Sequence, residues 1–183
     1  MKKAVYIACY AIVIIFLNGY SVLSATSHEY KTKTGKTIVV TENHPNGASL
    51  SNISIAFKDN ESSVLNFIDI DPINHVLLAD LDNNGFDEIY IITLSAGSGS
   101  YGNVIGIATT KDNTFAKINF PELSEPDLKI GAKFEGYEGH DLYKIKGMLL
   151  IRSFPVKTPK STTRVIKYKL IGEGASFQLV RIK

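Results

Sequence analysis

Beyond residue 36 the chain is a succession of short runs in which apolar residues alternate with polar ones or cluster briefly, each run closed by Asn, Asp, Gly or Pro. This punctuation predicts strands over 37–41, 52–57, 64–70, 75–79, 88–94, 104–109, 114–120, 141–146, 148–156, 163–171 and 176–182. The run 163–171 shows the period of two most plainly. Val165, Lys167, Lys169 and Ile171 point one way, and Arg164, Ile166, Tyr168 and Leu170 the other. Lys146-Gly147, set between two such runs, predicts a tight hairpin, because glycine accepts the positive φ these turns need. No extended segment after residue 25 keeps a 3.6-residue period; 121–129 offers one helical turn at most. The expected fold is all-β, an antiparallel two-sheet β-sandwich forming one domain over 25–183.

The first residues follow different rules. Lys2 and Lys3 precede an apolar run over 4–17, which ends in Asn18, Gly19 and small polar residues. That layout predicts a signal peptide over 1–24, too short to span a bilayer, which takes about 20 apolar residues. The segment predicts export out of the cytoplasm. The single cysteine, Cys9, falls inside this segment, so 25–183 must be held by its core without disulfides. The net charge of +2 is used up by Lys2 and Lys3. A balanced remainder predicts neither a nucleic-acid partner nor a membrane partner after cleavage.

Two stretches hold candidate chemistry. Gly97-Ser98-Gly99-Ser100-Tyr101-Gly102 fits the glycine spacing of a dinucleotide site, but that site needs a following helix, and Val104, Ile105 and Ile107 read as a strand. No cofactor is expected. The stretch then reads as a loop between two strands, either a plain connection or a binding loop with Tyr101 as its anchor. In the second stretch, Asp80, Asp82, Asn84 and Glu88 recur at every second or fourth position around Gly85, a calcium-loop spacing that lacks the acid an EF-hand carries at its twelfth position. A polar turn capping its own amides is the expected reading, so no metal is expected; a calcium-dependent extracellular binding module is the alternative function. His140 beside Asp141 hints at a triad, but no serine stands in a nucleophile elbow. An enzyme is not expected.

The run 78–88, Leu-Ala-Asp-Leu-Asp-Asn-Asn-Gly-Phe-Asp-Glu, followed by Ser95-Ala96-Gly97-Ser98-Gly99-Ser100-Tyr101, resembles the periplasmic inhibitors of invertebrate-type (I-type) lysozyme. Gly136-Tyr137-Glu138-Gly139-His140-Asp141, the block 150–156 and the block 163–170 look like the same family in the same order. The resemblance implies an exported β-sandwich that inserts a Ser-Gly-x-Tyr loop into the cleft of the lysozyme. Here Ser98, Gly99 and Tyr101 match that motif, with Gly97 and Ser100 beside them. Ser98 would donate to a catalytic carboxylate and Tyr101 would fill a sugar subsite. Arg152 is a possible second contact, weighed against a solvated strand position. Between the last two blocks this chain has 157–161, shorter than the family commonly shows.

Overall fold

The computed structural model describes residues 25–111, 113–157, 162–173 and 176–183. The predicted signal peptide and the connection 158–161 lie outside the described residues. Among them, no helix is long and apolar enough to cross a membrane.

Four strands, β1 (Thr26–Lys31), β2 (Thr37–Asn43), β3 (Ser51–Phe57) and β4 (Asn60–Ile70), form an antiparallel meander. A second sheet starts with β5 (Ile73–Ala79), β6 (Glu88–Leu94), β7 (Gly102–Thr110) and β8 (Thr114–Asn119). After the single turn of α1 (Glu125–Leu128) it continues with β9 (Leu142–Lys146), β10 (Leu149–Val156), β11 (Thr162–Glu173) and β12 (Ser176–Ile182). Its spatial order is β5-β6-β7-β8-β12-β11-β10-β9. Neighbours are antiparallel except β12 and β8, which run parallel at Phe177↔Ile118 and Gln178↔Asn119. The sheet is therefore two antiparallel meanders joined along one parallel seam.

The protein is all-β, but the larger sheet departs from a plain antiparallel sandwich. Its end strands β5 and β9 approach each other, so the sheet curls almost into a barrel and encloses its own core. All eight strands contribute inward side chains, among them Leu77, Tyr90, Val104, Ile118, Tyr143, Leu150, Tyr168 and Leu179. Alternation records which side of a strand is wet; it does not record whether the sheet faces a second sheet or itself.

A second core joins the sheets. Ile38, Val40, Ile53, Ile55 and Phe57 of β2 and β3 pack on Ile89, Ile91 and Ile107, which point outward from β6 and β7. The Phe57 and Phe115 rings stack there with centroids 4.4 Å apart. Covered on both faces, β6 is buried along nearly its whole length, which accounts for the run Ile89-Tyr90-Ile91-Ile92. Each isoleucine buried there contributes about 1.5–3 kcal/mol. A polar stitch adds to this seam, since Glu42 Oε1 accepts from Ser51 Oγ (2.5 Å) and from the Ile73 amide at the start of β5 (2.8 Å).

Between β9 and β10 the two-residue turn is Gly147-Met148, one position later than predicted, with Gly147 at φ +59. The predicted turn in 121–129 is α1.

Candidate functional site

Strands β6 and β7 pair as far as Leu94↔Gly102, which leaves 95–101 to connect them. The connection is tied down. The Ser95 amide donates to the Tyr101 carbonyl (2.9 Å), the Tyr101 amide to Ser95 Oγ (2.9 Å), and the Ser100 amide to the Gly97 carbonyl (3.0 Å). A further tie comes from the segment before β9, where the His140 amide donates to the Gly99 carbonyl at 2.6 Å. The backbones touch so closely that a Cβ on Gly139, which sits at φ +87, would overlap the Gly99 carbonyl oxygen. A Cβ on Gly99 would meet the Tyr101 ring. Glycine at both positions is what lets 97–101 lie against 136–141.

This packing fixes what the loop presents. Gly97 and Ser98 are exposed, Gly99 and Ser100 are half-buried, and Tyr101 is 48 % exposed with one edge against Tyr137 (centroids 5.6 Å). Beside Tyr101 lies a shallow cavity of about 260 Å³, walled by Gly102, Asn103, Phe120, Leu123 and Tyr137 with Arg152 at its base.

Beneath the loop is a closed polar ring. Asp141 Oδ1 accepts from Arg152 Nε at 2.6 Å, Arg152 Nη2 donates to the Tyr137 hydroxyl (2.7 Å), and that hydroxyl donates to Asp141 Oδ2 (2.6 Å). The same Oδ2 takes the Gly102 amide (2.8 Å), and Tyr143 Oη donates to the Gly102 carbonyl (3.1 Å). The ring thus grips the first residue of β7. Arg152 is not a solvated strand position: it is 4 % exposed and points into the curled sheet with Leu150 and Phe154, its guanidinium over the Tyr137, Tyr143 and Phe154 rings. Burial works against its charge, but the Asp141 carboxylate together with Tyr143 and Tyr137 outweighs burial and holds its pKa above the ordinary arginine value. Burial, reinforced by the bond to Asp141, raises the Tyr137 phenol.

No protein-family model, curated protein or solved structure matches the chain.

The remaining candidates fall elsewhere. Ligand oxygens of Asp80, Asp82 and Glu88 lie within 4.8 Å of one another. Asp80 binds Lys33 Nζ (2.5 Å) and the amides of Asn84 and Gly85 (3.0 Å each). Asp82 binds the Asn84 amide (3.1 Å), the Asn84 carbonyl oxygen Oδ1 accepts the Phe86 amide (2.8 Å), and buried Glu88 accepts the Leu81 amide (2.7 Å). The side chains of the turn cap its own backbone amides. Burial opposes the Asp80 charge, but Lys33 and the two amides prevail and hold its carboxyl below the usual range. Burial raises Asp82, and pushes Glu88 up to about 8.

Asp141, committed to Arg152, Tyr137 and Gly102, does not orient His140, which is exposed at φ +58. The glycine-rich run leads into β7 and not into a helix, so no helix N-terminus stands ready for a pyrophosphate. The sequence did not single out Tyr137, Tyr143 or Asp141 as supports of the loop. Their one signal was the pair Gly136 and Gly139, both at positive φ around Tyr137.

Proposed function

We propose that this protein is a periplasmic inhibitor of an invertebrate-type lysozyme that blocks the enzyme's cleft with its 97–101 loop and performs no chemistry of its own. The observation that carries the reading is the fixed presentation of Ser98 and Tyr101 on a loop bound to 136–141 and gripped from below by Asp141. A loop already held in its bound shape loses little conformational entropy on insertion. Glycosidase clefts hold paired carboxylates and sugar subsites, so a hydroxyl donor and an aromatic ring with a phenol at its tip suit both. The cavity beside Tyr101 can take a side chain from the rim of the partner. Arg152 serves this function from below, as part of the support.

The test is inhibition of cell-wall lysis by the purified protein against invertebrate-, chicken- and goose-type lysozymes. Inhibition of the first type is expected. Failure against every invertebrate-type lysozyme tried would overturn the proposal.

A further inference from the structure

A balanced net charge says nothing about where charges stand. From 142 to 183 the sequence holds ten Lys and Arg but a single acid, Glu173, whereas 25–90 holds ten acids and four lysines. The fold lays part of this basic excess on the outer surface of β9–β12. Lys144 on β9 pairs across Ile151 on β10 with Lys167 on β11, and Lys167 in turn faces Ile182 on β12. One step along, Lys146 stands beside Leu149, and Lys169 faces Val180. Ile151 is only 6 % exposed although it points outward between Lys144 and Lys167. Lys144, Lys146, Ile151, Val165 and Lys167 line one groove of about 370 Å³. None of the four lysines has an ion-pair partner among the described residues, and no carboxylate lines this groove.

Apolar side chains interleave with the charges and stay exposed: Leu142 at 70 %, with Val165, Ile171 and Ile182 partly so. Edge protection would account for lysines on β9, but Lys167 and Lys169 lie on β11, between β10 and β12. The mixture discriminates among partners. Protein interfaces favour Tyr, Trp and Arg and are depleted in Lys, and single-stranded nucleic acid calls for stacking aromatics. This surface offers lysines around aliphatic groups, with no aromatic ring among its groove residues. Alternate residues of a strand lie about 7 Å apart and strands about 4.8 Å, so the ammonium groups are spread over roughly 10 Å, within a Debye length of each other at 0.1 M salt.

We infer that the outer surface of β9–β12 docks on an anionic phospholipid bilayer, the lysines contacting lipid phosphates and Leu142 and Val165 reaching the headgroup boundary. This inference is independent of lysozyme inhibition. The juxtaposition that carries it is Lys144 and Lys167 on either side of Ile151 in one carboxylate-free groove.

The test is co-sedimentation of the purified protein with vesicles of phosphatidylcholine alone or with a quarter phosphatidylglycerol, at 50 mM and 500 mM salt. Binding to the anionic vesicles at low salt, its loss at high salt and its near absence on neutral vesicles are expected. Lys144→Glu/Lys167→Glu should lower the partition coefficient at least tenfold while leaving the melting temperature unchanged. Lys36→Glu/Lys111→Glu, with the same charge change on other surfaces, should lower it no more than threefold. Leu142→Ser should weaken binding severalfold at constant charge. Absence of binding to anionic vesicles, equal binding to neutral ones, or equal losses in the two double variants would overturn the inference. So would binding of soluble dextran sulfate without binding of vesicles.

Discussion

Asp141 Oδ1 and Arg152 Nε lie 2.6 Å apart with side chains 0 % and 4 % exposed, an ion pair sealed inside a curled sheet and connected upward to a surface loop through the Gly102 amide. Removing one partner leaves the other charge buried and unmatched, at a cost of about 3–5 kcal/mol. Asp141→Ala and Arg152→Ala should each destabilise by that order in urea denaturation. The double variant should lose much less than the sum of the two. An additive double variant would mean that the pair is not coupled.

Ser98 is exposed, so Ser98→Ala should leave stability within about 0.5 kcal/mol of wild type while weakening inhibition at least tenfold, the loss of a hydrogen bond to a charged group being about 1.5–3 kcal/mol. Tyr101 differs because its edge rests on Tyr137, a contact of about 0.5–1.5 kcal/mol. Tyr101→Phe keeps that contact and removes only the phenol, so it should weaken inhibition without a change in melting temperature. Inhibition constants and thermal melts of both variants check this.

The two glycines at either end of the loop contact make opposite predictions. Gly139→Ala would drive a methyl group into the Gly99 carbonyl at a strained φ, so it should destabilise by about 1–3 kcal/mol and shift the amide resonances of 98–101. Gly97 has open space around it and no positive φ, so Gly97→Ala should be neutral or stabilising by about 0.5 kcal/mol. Nuclear magnetic resonance and melts of the pair separate a docked loop from a free one.

Glu88 gives the fold a pH signature. Its carboxyl is pushed up to about 8 by burial, against an unfolded value near 4.5. The neutral form is the one the fold accommodates, so its contribution is intact below about pH 4.5, declines as pH rises, and is lost above about pH 8. Asp80, lowered by Lys33, acts the other way and loses its contribution as pH falls through the acid range. Unfolding free energy should therefore fall by a few kcal/mol, in order of magnitude, between about pH 5 and 8. Glu88→Gln, which keeps an acceptor for the Leu81 amide, should flatten that slope. An unchanged slope in the variant would remove Glu88 as its origin.

The turn that holds Asp80 and Asp82 closes on its own amides and on Lys33, so millimolar calcium should leave the melting temperature within a degree of that in chelator. Binding at a hundredfold excess over Kd would add about 2.7 kcal/mol and be plain in a melt.

The strands were legible wherever a buried side chain marked every second position, as in 51–57 and 163–171. The strand at 26–31 was not, because it is polar except for Tyr30, lies largely exposed and joins β2 by backbone pairing, so one half-buried ring leaves no hydrophobic period to read. The loop was visible from its glycines, serines and Tyr101. Its support was not, since Arg152 between Ile151 and Ser153 looks the same in sequence whether its side of the sheet is wet or rolled inward. Only closure of the sheet around Leu150 and Phe154 decides it.

The parallel contact of β12 with β8 has a consequence for the order of assembly. For a chain delivered from its N-terminal end, β5 to β8 can pair as soon as they appear, but the far edge of β8 stays open until 177–178 arrive, some sixty residues after 118–119. Until then Ile118 and Asn119 offer unpaired backbone to any passing strand, the state in which strand exchange and aggregation begin. Closing a loop of that span makes the seam a late, slow event. A factor that shields the β8 edge during delivery should therefore raise folding yield more than one acting on the β1–β4 meander, whose pairings are all local.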